Sequence, residues 1–273
     1  MSGVVVTPGL RAGFGRRAGR QAIEWIPAAV VFCLGIAVWE GAIWAFHIKQ
    51  FLLPKPSDIV SSLWSDGGTL WPAGWTTFKE ALGGFAGGSA AGIVVATAIG
   101  RFRALGGVLM PLAIAANAVP IIAFAPIFNA WFDPLAPGSK MAIAGVLCFF
   151  PVLVNTLRGL QSVSPRQIEL MRSYAAGELT IWRRVRVPTA LPYVFTSLKV
   201  ASVLAMIGAI VGEYFGGSFN ALGVLIRSDA QILDFQTAWA GILVASLLGL
   251  ALYAAVVVAE RLTIRWAPAS RDP

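Results

Sequence analysis

From position 238 to 259 the chain reads AWAGILVASLLGLALYAAVVVA, without one charged side chain. As a helix, about 20 residues cross the ~30 Å hydrocarbon core of a bilayer. Hydrocarbon cannot satisfy backbone N–H and C=O groups, so such a run spans a membrane only as a helix or as part of a closed barrel. Comparable runs occupy about 25–46, 77–100, 105–131, 139–157 and 193–215. They are continuous rather than alternating, which argues against a barrel. Charged residues make up 12% of the 273 positions, against about 25% in soluble domains. The fold class expected is all-α: a polytopic membrane protein with six transmembrane helices.

Charge tests this topology independently. The net charge is +8, and in a membrane protein excess Lys and Arg marks cytoplasmic loops. With the N-terminus inside, the inner segments hold Arg11, Arg16, Arg17, Arg20, Arg101, Arg103, Arg158, Arg166, Arg172, Arg183, Arg184, Arg186, Arg261, Arg265 and Arg271. The outer segments hold Lys49, Lys55, Lys79, Lys140 and Arg227, and Lys199 falls inside the fifth run. Six spans with both termini cytoplasmic produce this asymmetry, and an odd number would scramble it. The basic charge thus points to membrane lipid, with no nucleic-acid partner. The N-terminal run is too long for a signal peptide and lacks a small-residue cleavage site after it. The expected division is a cytoplasmic tail 1–24, one transmembrane domain 25–262 with a cytoplasmic loop 159–191, and a cytoplasmic tail 263–273.

Several details refine the spans. Gly83, Gly84, Gly87, Gly88 and Gly92 in the second make overlapping small-xxx-small faces for close helix approach. Internal packing and contact with a second copy are equally open. The third contains Pro111, Pro120 and Pro126, so it is expected to bend. It fits either a kinked packing helix or one lining a pathway. Cys33 and Cys148 fall in apolar runs and suggest packing, and His47 suggests an interfacial position. Outside, PKPSDIVSSLW predicts a short amphipathic surface helix capped by Ser57, and 222–233 predicts another.

The 168–192 stretch, IELMRSYAAGELTIWRRVRVPTALP, is the long basic exception to the apolar pattern. Ser164, Pro165 and Gln167 form a helix start. The expectation is a helix to about Ala176, an end at Gly177, and a second short helix capped by Thr180. Pro188 and Pro192 then lead into the fifth span. A folded basic loop near anionic lipid satisfies this composition, and so does a docking knob for a soluble partner.

The spacing of Glu169, Ala175 and Pro188 resembles the coupling loop of ABC importer permeases. That loop has Glu, a Gly six places on and a Pro nineteen places on. Leu170, Met171 and Ala175 depart from it, so the turn is expected to be less tight, with Gly177 taking over part of the role. PSDIVSSLW, PIIAFAPIFNAWF, FFPVLVNT, LPYVFTSLKVA and IGAIVGEYFGG extend the resemblance over roughly 54–260. They resemble the nitrate/sulfonate/taurine branch of binding-protein-dependent permeases. In appearance the chain is most similar to permeases for pyrimidine thiamine precursors or riboflavin.

The resemblance implies a MetI-like permease fold in a bacterial inner membrane and a homodimeric pore. It also implies a dimer of ABC ATPase subunits on the loop and an extracytoplasmic substrate-binding protein outside. It assigns ATPase coupling to Glu169, Arg172, Ala175, Ala176, Gly177 and Pro188. The chain has no GxxxxGK[ST] loop and no catalytic constellation. It is expected to be neither an enzyme nor a cofactor protein.

Pathway candidates are Asn117, Phe124, Phe128, Asn129, Asn155 and Glu213, since polar groups inside a membrane are costly. Each also fits a packing role, and Glu213 also fits pairing with an outer Lys or Arg. Lys199 is the cation within the spans, near the inner end, and Glu213 would repel an anion. Together they favour a neutral or aromatic organic solute over nitrate, sulfonate or taurine. The rival class is an ion-coupled secondary transporter, but those often pair broken helices in inverted halves. Only one such helix is evident here.

Overall fold

The computed structural model describes residues 14–50, 52–101 and 120–264. Five helices among them are long and apolar enough to cross a membrane: α1 (Phe14–Ala45), α3 (Gly67–Arg101), α5 (Pro137–Gln161), α8 (Val187–Phe215) and α10 (Phe235–Thr263). Shorter helices connect them: α2 (Pro56–Ser65), α4 (Ala125–Trp131), α6 (Pro165–Ser173), α7 (Glu178–Ile181) and α9 (Leu222–Gln231). The third expected span, 105–131, lies largely outside the described residues. Its described end is one 3₁₀ turn, Ile121–Phe124, followed by α4. A 3₁₀ turn between Pro120 and Pro126 is what missing N–H donors produce.

The core is a three-helix sandwich with α5 between α3 and α8. Small residues make it possible. A Cβ on Gly88 would stand 2.1 Å from the Gly145 carbonyl oxygen, and one on Gly84 would stand 2.4 Å from the Ala144 Cβ. The backbones of α3 and α5 therefore touch. Gly87 faces open space. The glycine face at 84, 88 and 92 is thus an internal seam, and Gly87 lies off it. Around it pack Cys148, Val152, Ala201, Ala205, Ala209 and Val244. The Cys148 thiol donates to the Ala201 carbonyl at 3.2 Å. Cys33 is exposed on α1 and packs nothing here.

Several boundaries differ from expectation, among them that of α1, which starts at Phe14 rather than 25. Helix α3 starts at Gly67 rather than 77. Its 35 residues make it about 52 Å long, so its first turns project beyond the hydrocarbon. Helix α2 is preceded by Lys55, and Ser57 is inside its first turn, donating to Glu40 at 2.7 Å. Ser57 links α2 to α1 instead of capping. Helix α9 ends at Gln231, two residues short.

Lys199 also has a partner. Its Nζ lies 2.9 Å and 3.2 Å from the two Glu260 carboxyl oxygens, joining α8 to α10. Both side chains are about a quarter exposed, so the pair is partly desolvated. Stripping one member of a buried pair costs about 3–5 kcal/mol, and exposed pairs are worth at most about 1 kcal/mol. Lys199→Met should fall between, at about 1–3 kcal/mol. Lys199→Glu with Glu260→Lys should recover most of it, as thermal denaturation in detergent will show.

Candidate functional site

The basic loop is a helix–turn–helix knob. Ser164 Oγ accepts from the Gln167 N–H at 3.4 Å, the cap read from sequence. Helix α6 has no fully buried residue, and only Ile168 and Met171 are half-buried. It ends at Ser173, earlier than expected, because the chain reverses at Ala175. That residue adopts φ 55°, the left-handed region. An alanine there is strained relative to glycine by about 1 kcal/mol. The position where the resembling loops carry Gly therefore keeps the tight turn, despite its Cβ. Gly177 does not substitute for it. Its φ is −69°, and it is the N-cap of α7. Thr180 lies inside α7 and caps nothing. The signal for a Gly177 start was present: Glu178 follows it, and acids favour a first turn.

No break separates the knob from the fifth span. Helix α7 runs through a π turn, Trp182–Arg186, directly into α8. The 38 residues from Glu178 to Phe215 form one rod about 57 Å long. The Val187 N–H bonds the Trp182 carbonyl, five residues back. Widening the ladder there makes room for the Pro188 ring, which clashes with a regular i−4 carbonyl. The Pro192 carbonyl accepts from Thr196 Oγ1 at 2.8 Å.

Two contacts shape the knob. Arg172 Nη2 and Glu178 Oε1 form a 2.8 Å ion pair across the reversal, with both side chains largely exposed. Trp182 leans on the C-terminal end of α3, where a Cβ on Gly100 would come within 3.3 Å of the indole. The Arg186 guanidinium lies 5.7 Å from the Trp182 ring centre. Between the knob and the ends of α3 and α5 lies a groove of about 840 Å³, lined by Arg101, Glu169, Arg172, Glu178 and Arg186 among others. Glu169, Arg172 and Glu178 thus share one groove. Pro188 lines a smaller one, about 310 Å³, with Leu170 and Met171 on the other side of α6. Ala175, Gly177, Leu179 and Tyr174 are exposed at the tip, and Ala176 is half-buried.

The clasp makes a prediction. Arg172→Glu sets two carboxylates across the reversal and should open it. Proteinase K should cut the 173–178 segment faster, and adding Glu178→Arg should restore resistance. Because the pair is exposed, high salt should blunt both effects.

The intramembrane candidates separate into three groups. Asn117 lies outside the described residues. Phe124 and Phe128 are half-buried, on the 3₁₀ turn and on α4, their ring centres 6.3 Å apart, and Phe128 also contacts Trp131 and Phe132. Asn155 is half-buried and donates to the Pro151 carbonyl at 2.9 Å. Asn129 and Glu213 are buried against protein instead. Asn129 Nδ2 donates to the Gly212 carbonyl at 3.3 Å. Glu213 is fully enclosed, and its Oε2 accepts from the Gly223 N–H at 2.7 Å. A pathway-facing carboxylate is therefore not what this conformation contains. A buried carboxylate needs donors, and the start of α9 supplies one.

Residues 88–265 match the family described as binding-protein-dependent transport system inner membrane component. The chain is 29% identical over 250 residues to the riboflavin transport system permease protein RibX of Chloroflexus aurantiacus, covering 90% of this chain and 92% of that one. It is 31% identical over 252 residues to the formylaminopyrimidine transport permease protein ThiX of Halalkalibacterium halodurans, covering 90% and 98%. It is 24% identical over 238 residues to the taurine transport system permease protein TauC of Escherichia coli, covering 85% and 86%.

Proposed function

Given that this chain belongs to the binding-protein-dependent transport system inner membrane components, and is a multi-pass permease subunit of an ABC importer, we propose that its knob couples a separate ATPase dimer to the membrane helices. The observation that carries this reading is mechanical. The knob has no buried side chain in α6, yet α7 continues into α8 as one rod reaching the other end of the bundle. Force applied at the knob is delivered along that rod to the core, as bundle rocking requires. Glu169 and Arg172 present charge to the ATPase. Ala175, Ala176 and Gly177 form the tight tip that enters its groove. Pro188, with the π turn ahead of it, fixes the angle between knob and rod.

The chain is a transporter component rather than an enzyme, and ATP is hydrolysed by the ATPase subunits. Two identical copies enclose the pathway in a bacterial inner membrane, with both termini cytoplasmic. The tails are 1–24 and 263–273, and 25–262 is the permease domain with its coupling loop at 159–191. An extracytoplasmic binding protein delivers the solute to the outer face. Asn117, Phe124, Phe128 and Asn155 line the route, while Asn129 and Glu213 hold its frame.

The solute is a neutral, flat organic molecule of the pyrimidine thiamine-precursor or riboflavin type. Support comes from the two relatives whose names carry these substrates and from the paired state of Lys199, which leaves no cation there to attract an anion. A taurine-, sulfonate- or nitrate-type anion is the alternative, favoured by the TauC relative.

The test is affinity purification of the tagged chain from its own host in mild detergent. An ABC ATPase should accompany the wild type and be depleted from Glu169→Ala. A folded chain that emerges alone, or that takes up solute alone in proteoliposomes, would sink the coupling reading and favour a self-sufficient transporter.

A further inference from the structure

Helix α1 is the least buried of the five spans. Among its residues 26–45 only Ile43 is buried. Its C-terminal part is held in place: the Trp39 and Trp239 rings meet edge to face at 5.7 Å, and Ser57 of α2 donates to Glu40 at 2.7 Å. N-terminal to Trp39, a groove of about 630 Å³ separates α1 from α10, with α2 across one end. Val31, Gly35 and Trp39 of α1, Ile59 of α2, and Trp239 and Ser246 of α10 mark its course.

The lining is apolar apart from Ser246, whose hydroxyl donates to the Ile242 carbonyl at 2.8 Å. A polar solute finds no partner along it, and water gains little there. Its depth matches one leaflet. From Ala45 to Val31 α1 descends about 21 Å, and from Phe235 to Ser246 α10 descends about 16 Å. Half of a bilayer with its headgroup layer measures ~20–22 Å. Val31, Phe32 and Ile242 are exposed, so the groove is continuous with the lipid-facing surface of both helices.

Polar groups stand at the α2 end. Lys55 directly precedes Pro56, which lines the groove, and among the described residues no ion pair holds Lys55. Two acids of this region are engaged, Glu40 by Ser57 and Asp58 by Gln50 at 3.0 Å. The Trp39 indole N–H is buried without a partner, about 9 Å along α1 from its end, and an unpaired buried donor is costly.

We infer that this groove is a lipid site: it seats one acyl chain of a phospholipid from the leaflet at the α2 end, with the phosphate against Lys55 and an ester carbonyl toward the Trp39 indole. The acyl chain supplies the packing that α1 lacks against α10. The site needs a bilayer and no ATPase, so it stands or falls apart from the coupling reading.

Photolabelling tests it on the purified full chain in dodecyl maltoside, titrated with a phosphatidylglycerol that carries a diazirine in one acyl chain. Labelling should saturate and map to 31–36 and 239–246, about ten-fold or more above exposed Leu250 and Val258. Gly35→Phe should remove it. An added Cβ at Gly35 meets nothing within 4 Å, so the ring fills the groove without touching the core. Lys55→Gln, outside the hydrocarbon, should weaken labelling about five-fold. Labelling that never saturates and covers Leu250 and Val258 equally would reduce the groove to ordinary lipid-facing surface. Persistent labelling of Gly35→Phe would place the lipid elsewhere, and unchanged affinity in Lys55→Gln would remove the phosphate contact. An unlabelled groove, with Val31→Cys forming a disulfide between copies, would assign it to a second copy instead. If Gly35→Phe gives no folded chain, competition replaces it. Unlabelled dioleoyl phosphatidylglycerol should displace the label, and dioleoylglycerol, lacking the phosphate, should do so about five-fold less well. Absence of displacement overturns the site.

Discussion

Ala175→Glu should abolish uptake while leaving the chain inserted and folded. The residue sits exposed at the tip of the knob, so a longer side chain meets no atom of its own chain's core. Two effects then act at the tip. The left-handed backbone, φ 55°, tolerates glycine best and disfavours larger residues. A carboxylate also enters the surface proposed to dock the ATPase, where an unpaired buried charge is costly. Loss of one interface anchor costs about 2–4 kcal/mol, a ~30–1,000-fold fall in affinity. ATP-driven uptake by the reconstituted transporter should fall to background, and the ATPase should no longer copurify. Ala175→Gly should do the opposite, easing about 1 kcal/mol of backbone strain with transport intact. Normal ATPase retention by Ala175→Glu would reduce the knob to a basic surface.

Gly88→Leu should be the most damaging single change in the membrane domain. A side chain there points at the Gly145 backbone, 2.1 Å from its carbonyl oxygen. Neither helix can yield locally, because α5 is packed on its other side by α8, where a Cβ on Gly208 would meet the Ala144 Cα at 2.6 Å. Overpacking a core costs about 1–3 kcal/mol where side chains can shift. A backbone clash in a three-layer stack should exceed that, and folded protein should be lost from detergent extracts. Gly87→Leu, one position away on the open face, is the control and should leave monomer folding unchanged. If Gly87→Leu is equally destructive, the seam has been misplaced by one residue. If it spares folding and disrupts only the two-copy assembly, that face contacts the second copy.

The spans and the knob were legible from local pattern. A run such as 238–259 has one inexpensive structure in lipid. Ser164, Pro165 and Gln167 start a helix through contacts within four residues. The errors were also local in origin. Gly177 reads equally well as a helix end or a helix start, and only the left-handed turn two residues earlier makes it a start. Pro188 reads as a break because its i−4 clash is local, while the π turn that relieves it also depends on how Trp182 seats against α3.

Glu213 shows the deeper limit. Its cost inside a membrane was evident from its position in an apolar run, and so was the need for a partner. Which partner was not evident. The partner is the Gly223 amide at the start of α9, and nothing in the residues around it marks it as a donor to Glu213. Hydrophobic periodicity reports which face of a helix leaves water. It carries no record of which faces meet. In this chain the need of lipid-immersed backbone for internal hydrogen bonds settled the helices and their order. The packing of α3, α5 and α8 through glycine seams decided the rest. It turned an apparent pathway carboxylate into an enclosed one, and an apparent free cation at Lys199 into half of an ion pair.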